Sequence, residues 1–280
     1  MLDIKDIREN PVLYKKGLAK KNAAGQIDDL LEIDSKRREK ITKADDLKAL
    51  RNRVSKEIGE LKRKGKDARD KIEEMQKVAA DIKDLDNQIA ELESERDKLL
   101  IFLPNLPHES VKAGKSEEDN EMIREWGAKS EFDFELKDHL DLGEYLDILD
   151  FQRAAKFSGT GFPLYKNEGA RLERALINFM LDFHVEKHGY KEIFPPFMVN
   201  REAATGTGQL PKLEEDMYNT KGDDFFLIPT AEVPVTNIHR DEIIPEKELP
   251  IKYTAYSACF RREAGSYGKE TRGLSRVHQF

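Results

Sequence analysis

Apolar residues recur in alternating steps of three and four along two mostly polar stretches between residues 28 and 100. The first row is Ala44, Leu47, Arg51, Val54, Ile58 and Leu61, and the second is Met75, Val78, Ile82, Leu85, Ile89, Leu92, Arg96 and Leu99. This spacing is typical of the a/d seam of a left-handed coiled coil. The stretch contains no proline, and Gly65 falls between the rows, where a glycine can end a helix in a left-handed cap. The pattern predicts two long helices separated by a short turn.

The two rows also match each other as antiparallel partners. Facing positions in an antiparallel pair have a constant sum of residue numbers, and five pairs meet this condition: Leu61 with Met75, Ile58 with Val78, Val54 with Ile82, Leu47 with Ile89, and Ala44 with Leu92. They predict a hairpin that reverses at Ala68. Arg51 faces Leu85, where its aliphatic stem can cover the leucine. At ~1.5 Å per residue, helices of about 35 residues give an arm roughly 50 Å long.

The pattern changes on both sides of this arm. Residues 1–24 predict short helices packed on the base of the arm. The two prolines between Leu103 and Pro107 end the helical pattern, and the polar stretch from Lys112 to Asn120 predicts a linker. We therefore expect an N-terminal domain over residues 1–110, with the arm at about 28–100, and a second domain over residues 111–280.

The second domain has a mixed pattern of helices and strands. A helix is predicted over His139–Lys156, and a strongly amphipathic one over Glu168–Lys187, ending at Gly189. Extended segments are predicted at Phe132–Phe134, Tyr190–Phe194, Phe225–Ile228, Tyr253–Phe260 and Ser275–Phe280. Helices followed by several strands and polar loops favour an α+β domain with a largely antiparallel sheet.

The composition is consistent with an elongated, highly charged helical region and a separate globular region that has an apolar core. Charged residues make up 37% of the chain and apolar ones 38%, and the net charge is -7. The single cysteine, Cys259, excludes an intrachain disulfide and favours a reducing compartment. The first residues lack the pattern of a signal peptide, and no apolar run approaches the ~20 residues of a membrane span. We expect a soluble cytoplasmic protein.

Positive charge is concentrated at the tip of the arm. Residues 48–71 contain ten Lys or Arg against four Asp or Glu, whereas the rest of the arm contains nine against sixteen. A positive tip suits contact with a phosphate backbone, but lysine is also common near helix C-termini as a solvated residue. Charge alone leaves both interpretations open. The candidate residues for nucleic-acid contact are Arg51, Arg53, Lys56, Lys62, Arg63 and Lys64.

The chemistry-bearing residues cluster near the end of the chain. Strand alternation places Arg261 and Glu263 on one face and Arg262 on the other. A polar loop with three glycines, Lys269 and Arg272 follows, and it leads into an extended run with Arg276 and His278. An isolated Arg–Glu pair is often only a surface ion pair. Two strands joined by a basic, glycine-bearing loop can also hold a triphosphate.

These residues resemble motif 2 of class II aminoacyl-tRNA synthetases, in the form found in seryl-tRNA synthetases. The matching segments are Phe260–Glu263 and Arg276–Phe280, with Thr207–Lys212 and Pro229–Pro234 in support. The helix before Gly189, its strand and Pro195-Pro196 resemble motif 1, which forms the dimer in that family. The arm is similar to the family's tRNA-binding arm. The resemblance covers essentially the whole chain in the expected order, and implies the first part of a class II catalytic domain.

The resemblance implies ATP-dependent activation of L-serine to seryl-adenylate, followed by transfer to tRNA(Ser), and it also allows tRNA(Sec). It assigns Arg261 to the α-phosphate as the catalytic residue, with Arg262 beside ATP. Glu263 would accept a hydrogen bond from adenine, Phe280 would stack on it and Val277 would contribute backbone contact. Thr230, Ala231 and Glu232 would line the serine pocket. ATP and Mg²⁺ are the implied cofactors, with no metal-ligand set within this chain, and a homodimer is the implied assembly.

Three further interpretations come from the residues. The chain could be a non-catalytic coiled-coil adaptor, or a synthetase-like enzyme that loads a carrier protein, although such relatives lack the long arm. His184 and His188 have a spacing that can bind zinc on a helix, but no third ligand is evident. Because the family's catalytic domain continues past motif 2 to motif 3, we expect a C-terminally truncated chain that is inactive alone.

Overall fold

The computed structural model describes residues 2–262 and 273–280. The chain forms two compact units, Met1–Gly127 and Ala128–Phe280, while the predicted boundary after residue 110 stays a prediction. The first unit contains helices α1 (Ile4–Glu9), α2 (Pro11–Ala19), α3 (Gln26–Arg63) and α4 (Arg69–Phe102), and a short 3₁₀ turn at Glu117–Asp119. In the described part of the chain, no helix is both long enough and apolar enough to span a membrane.

Helices α3 and α4 form the predicted hairpin. At the end of α3, the Lys66 N–H donates to the Leu61 carbonyl (2.9 Å) and the Gly65 N–H donates to the Lys62 carbonyl (3.2 Å). Gly65 has φ +66°. These two bonds and the left-handed glycine make a Schellman cap, so the predicted glycine cap is confirmed. Helix α4 begins directly after the buried Ala68, the predicted point of reversal.

The seam between α3 and α4 holds the arm together. Val54, Met75, Val78 and Ile82 form a buried cluster, with Leu47, Leu50 and Ile58 packed against it. This packing confirms the predicted pairing of the two rows. Polar contacts flank the seam, such as Lys48 Nζ to Asp86 Oδ1 at 2.8 Å. Because exposed ion pairs contribute little, the buried apolar side chains account for most of the stability of the arm.

Short helices pack on the base of the arm, as predicted. Ile7, Leu18, Ile27 and Leu30 are fully buried there against the end of α4. The carboxylate of Asp34 on α3 is also buried, and it accepts a hydrogen bond from Arg8 of α1 at 2.9 Å. A buried charge is tolerated when it is paired, so this contact fixes α1 on the arm.

The second unit alternates short helices and strands. Its helices are α5 (His139–Tyr145), α6 (Phe151–Ser158), α7 (Asn167–His188), α8 (Arg201–Gly206) and α9 (Glu232–Thr236), and its strands are β1 (Lys191–Ile193), β2 (Met198–Asn200), β3 (Phe225–Leu227) and β4 (Tyr253–Ala255). Three 3₁₀ turns lie at Glu214–Asp216, Asn237–His239 and Glu246–Glu248. The segment predicted as one helix over 139–156 is two helices, because Asp150 caps a new start by accepting from the Arg153 N–H at 2.8 Å. Residues 132–134 do not form a strand.

Strand pairing in this unit is partly different from the prediction. Strands β2 and β3 are antiparallel, but β1 and β4 are parallel, with Lys191 opposite Tyr253. An apolar pattern along one strand does not encode the direction of its neighbour, so the sequence could not separate these cases. A further antiparallel bridge joins Phe260 to Gln279.

The core of the second unit lies beneath the two segments that resemble the synthetase pattern. Phe226, Ile228 and Val233 are completely buried, and Leu210 and Met217 pack with them. Leu210 belongs to the Thr207–Lys212 segment, and Val233 belongs to the Pro229–Pro234 segment. The core therefore fixes the chain on either side of Thr230 and Glu232.

Candidate functional site

Backbone hydrogen bonds bring the predicted site residues together. The Cys259 N–H donates to the Phe280 carbonyl (2.7 Å), the Phe280 N–H donates back (3.0 Å), and the Arg261 N–H donates to the His278 carbonyl (2.8 Å). On the other edge, the Phe260 N–H donates to the Ile228 carbonyl at 2.8 Å. Three segments therefore lie side by side, and they carry Arg261, Phe280 and Thr230.

Arg261 lies against Phe280. The guanidinium carbon is 4.9 Å from the centre of the Phe280 ring, and Arg261 Nε donates to the Pro229 carbonyl at 3.3 Å. A guanidinium over an aromatic face is a favourable cation–π contact. The Phe280 side chain is 53% exposed. A cation beside an accessible aromatic ring suits a ligand that is both planar and anionic.

The segment Thr230–Glu232 lies at the start of α9. Thr230 Oγ1 accepts from the Glu232 N–H at 3.3 Å. Glu232 is exposed, whereas the next residue, Val233, is buried and anchors the helix. A hydroxyl and an accessible carboxylate close to Pro229 could bind a small molecule that carries an ammonium and a hydroxyl group.

Arg262 and Val277 have different surroundings from Arg261. Arg262 Nη1 donates to the Glu215 carbonyl at 3.3 Å, whereas Val277 is buried. Glu263 and the basic loop residues Lys269 and Arg272 lie outside the described residues. The predicted Arg261–Glu263 face therefore stays a prediction.

Sequence reasoning gave no role to the group around His278. The His278 ring stacks on Phe162, with the ring centres 5.1 Å apart. Its Nδ1 is 3.0 Å from the Tyr218 hydroxyl and 2.9 Å from the Arg261 carbonyl oxygen. Burial raises the pKa of Tyr218 above its ordinary value. The available signal was the Gly-Thr-Gly-Phe run at 159–162, because closely spaced glycines often mark a close approach of the backbone.

An arginine clamp joins three segments of the second unit, and sequence reasoning also missed it. Arg201 at the start of α8 donates to both oxygens of Glu214 (2.9 and 2.7 Å) and to Asp224 (2.9 Å). These hydrogen bonds hold the pKa values of Glu214 and Asp224 below their usual ranges. The clamp joins α8, the turn at 214–216 and the residue before β3. Glu214 and Asp224 are 13 and 23 residues from Arg201 along the chain. No local sequence pattern reveals contacts at such separations.

His139 holds the start of the segment that carries Phe280, which is bridged to Phe260 at Gln279 but does not form the strand predicted over Ser275–Phe280. The Leu274 N–H donates to His139 Nε2 at 2.9 Å. Gly273 has φ +72°, and a Cβ at that position would lie 1.9 Å from the same nitrogen. Asp138 caps α5 by accepting from the Leu140 and Asp141 N–H groups, both at 2.9 Å. The positive φ therefore favours glycine at position 273, and a Cβ there would also force the His139 ring to move.

The histidine pair on α7 forms a local contact. Nδ1 of His184 is 3.0 Å from Nδ1 of His188. Among residues 2–262 and 273–280, no group of three or more His, Cys, Asp or Glu side chains is arranged to hold a metal ion.

The candidate nucleic-acid residues lie at the distal end of the first unit. Arg53, Lys56, Lys62, Arg63 and Lys64 are exposed, while Arg51 is half-buried at the seam. Within the described part of the chain, none of these six forms an ion pair. Lys48 and Lys71 lie in the same region but pair with Asp86 and Glu57. The exposed cations at the tip are therefore available to an anionic partner.

Two family models match the chain. Residues 1–107 match the seryl-tRNA synthetase N-terminal domain. Residues 212–280 match the class II tRNA synthetase core domain of the glycine, histidine, proline, serine and threonine enzymes. The first match covers the arm and its base, and the second covers Thr230, Arg261 and Phe280.

Curated relatives are similar over the full chain. A serine–tRNA ligase from Chloroherpeton thalassium is 55% identical over 285 residues, covering 100% of this chain and 67% of the relative. A serine–tRNA ligase from Trichlorobacter lovleyi is 56% identical over 280 residues, covering 100% of this chain and 66% of the relative. The chain therefore spans about two thirds of the length of the curated relatives it matches.

Solved structures agree. The chain is similar to seryl-tRNA synthetase from Pyrococcus horikoshii, complexed with ATP, with a TM-score of 0.90, 38% identity, and coverage of 100% of this chain and 68% of that one. It is also similar to a cytoplasmic serine–tRNA ligase from Naegleria fowleri in complex with AMP. That match has a TM-score of 0.79, 29% identity, and coverage of 97% and 62%.

Proposed function

The chain belongs to the seryl-tRNA synthetase family, and we propose that the protein activates L-serine with ATP and transfers it to tRNA(Ser). The observation that carries the proposal is the convergence of Arg261, Phe280 and Thr230 on three adjacent backbone segments. A cation, an aromatic ring and a small polar pocket are what a reaction between an amino acid and a nucleotide requires.

In the first step, a carboxylate oxygen of serine attacks the α-phosphorus of ATP, and the bond to the pyrophosphate oxygen breaks. Negative charge builds up on the α-phosphate oxygens in the transition state. Arg261 would bind these oxygens, because a planar and permanently charged guanidinium can contact two of them at once. Its position beside Phe280 supports adenine stacking on that ring. Arg262, Val277 and Glu263 complete the proposed ATP-binding set.

Thr230, Ala231 and Glu232 form the proposed serine pocket. The exposed carboxylate of Glu232 would bind the ammonium group of serine. A polar pocket that binds the serine hydroxyl discriminates against alanine, because alanine would leave the polar groups without partners.

Mg²⁺ would accompany ATP. Mg²⁺ commonly binds through substrate phosphates and one or two carboxylates.

In the second step, the terminal ribose of tRNA attacks the seryl-adenylate carbonyl, and AMP leaves. The exposed cations at the tip of the arm, which form no ion pair in the described part of the chain, support contact with tRNA. Arg53, Lys56, Lys62, Arg63 and Lys64 would bind phosphates, and the half-buried Arg51 would contribute less. Such contacts weaken steeply as the salt concentration rises.

The exposed apolar face of α7 supports a homodimer. Phe179 is 63% exposed, and Leu172, Leu176, Met180 and Phe183 are also exposed. A continuous apolar helix face of this kind is typical of an interface. Phe179→Glu should convert a dimer to a monomer in light scattering, whereas Val12→Glu on α2, which is 77% exposed, should not. A dimer in both variants would contradict the interface. We also propose a cytoplasmic location, because the single cysteine excludes an intrachain disulfide and so favours a reducing compartment.

Pyrophosphate exchange with the full-length protein tests the central proposal. Labelled pyrophosphate should enter ATP only when serine is present, and alanine or threonine should support far less exchange. Charging of tRNA(Ser) in the same preparation tests the second step. Exchange that does not depend on serine would contradict the assignment.

A further inference from the structure

The backbone of Arg261 is bound twice by a single residue, His278. The Arg261 N–H donates to the His278 carbonyl at 2.8 Å. The Arg261 carbonyl oxygen lies 2.9 Å from His278 Nδ1. The first bond is ordinary strand pairing, but the second comes from a side chain and is not required by pairing.

The second contact fixes the tautomer of the histidine. A carbonyl oxygen can only accept, so Nδ1 must carry the proton and donate it to Arg261. The Tyr218 hydroxyl is 3.0 Å from the same nitrogen. Since Nδ1–H is the donor, the Tyr218 oxygen accepts a share of that proton.

The ring has little freedom to leave this position. One face stacks on Phe162, with an angle of 22° between the rings. The His278 N–H donates to the Gly161 carbonyl at 2.9 Å. Gly161 has φ +81°, and a Cβ there would lie 2.6 Å from His278 Cδ2. Three separate segments, which carry Gly161, Tyr218 and Arg261, therefore meet at one imidazole.

We propose that His278 is a positioning residue for adenylate formation. Its Nδ1–H holds the carbonyl of Arg261 and so fixes the peptide from which the guanidinium extends. This role rests on the proposed function of Arg261 at the α-phosphate. A misplaced guanidinium would stabilise the transition state less, although serine would still bind.

The test separates the hydrogen bond from ring packing. In His278→Asn, the amide nitrogen occupies about the place of Nδ1 and can still donate, but the ring is lost. In His278→Ala, both the donor and the ring are lost. In serine-dependent pyrophosphate exchange by the full-length protein, we expect kcat to fall about tenfold in H278A, which corresponds to about 1.4 kcal/mol and lies within the range for one hydrogen bond. H278N should stay within about threefold of wild type, and the KM for serine should change less than about twofold in both.

The outcomes are distinguishable. Equal losses of kcat in H278A and H278N would mean that ring packing matters, and would overturn the positioning role. Wild-type activity in H278A would overturn it too. No serine-dependent exchange by the wild type would overturn the proposed function and the role of Arg261 with it. If H278A does not fold, nitrogen-15 spectra of the wild-type histidines still decide, because a His278 protonated only at Nε2 would overturn the proposal.

Discussion

The arm and the second unit obtain their structures in different ways. In the arm, Val54 and Ile82 face each other because each helix repeats one spacing, and the apolar seam is buried within the arm itself. In the second unit, the decisive contacts join residues far apart in sequence, such as Arg201 with Asp224. Large apolar side chains also remain exposed there, including Phe179 and Phe194 (75%). The arm completes its own core, while the second unit presents an apolar surface.

This difference suggests that the two units can be altered independently. The arm would contribute affinity for a nucleic acid through charges at its tip. The second unit would contribute chemistry through a few side chains whose positions depend on many supporting contacts. Changes in the arm should therefore affect one step, and changes around Arg261 should affect both.

The largest effect is expected from Arg261→Ala. Removing a group that stabilises transition-state charge typically costs 10²–10³-fold in rate, so exchange and tRNA charging should both fall by about that factor. Steady-state kinetics of both reactions in the full-length protein would measure this. Lys77→Gln on the arm, whose side chain is exposed, is a matched control with expected wild-type rates. Loss of charging alone in R261A would contradict the division between the units.

The next largest effect is expected from shortening the arm. In this variant, residues 54–82 are removed and a short glycine turn joins Arg53 to Lys83. The remaining pairs stay in register, because Arg53 and Lys83 face each other in the hairpin. We expect kcat/KM for tRNA to fall about 100-fold through the loss of several phosphate contacts, with exchange within about twofold. Equal loss of both activities in a folded variant would show that the units are not separable.

Gly273→Ala should have an intermediate effect on the second unit alone. The new Cβ would meet His139 and force a positive φ on alanine, so exchange should fall about tenfold because the segment that carries Phe280 is displaced. The helical signal in far-UV circular dichroism, to which the arm helices contribute, should be unchanged. Gly208→Ala is a control for the backbone effect, since Gly208 has φ +82° and no atom near its Cβ position. Partial recovery in the double variant with His139→Ala would assign that part of the loss to the collision, because the same change also removes the hydrogen bond from Leu274.

The smallest effect concerns pH and the Arg201 clamp. The pKa values of Glu214 and Asp224 are depressed in the folded state. The stability they contribute is therefore present above their unfolded pKa values, near pH 4, and is lost as the pH falls through the lower folded values. Arg201→Met should lower the Tm by a few degrees at pH 7, and the difference should shrink below about pH 4. A difference that is constant from pH 7 to pH 3 would contradict the ionic role.

Much of the arm could be predicted from the sequence, and less of the site. The turn at Gly65 and the layers around Val54 followed from local spacing, because the helical repeat places neighbours in sequence next to each other in space. For the site, alternation placed Arg261 on a strand face, and the family resemblance added Phe280 and Thr230. The contacts of these residues with Pro229 and His278 appeared only in the structure.

Long-range pairing explains what could not be predicted. The parallel pairing of β1 with β4 depends on the path of the chain between residues 193 and 253, which no spacing rule describes. The same holds for His139, which lies 135 residues from Leu274. Single polar residues of this kind are common at protein surfaces, so their type alone did not distinguish them.

The antiparallel seam also limits how the arm can change during evolution. An insertion in α3 alone would shift every later layer against α4 and expose apolar side chains. Insertions or deletions are therefore expected in matched pairs, one in each helix, at equal distances from Ala68. Seven residues added to each helix would preserve the repeat and move the tip about 10 Å outward. The reach of this family's arm should vary among organisms in steps of that kind.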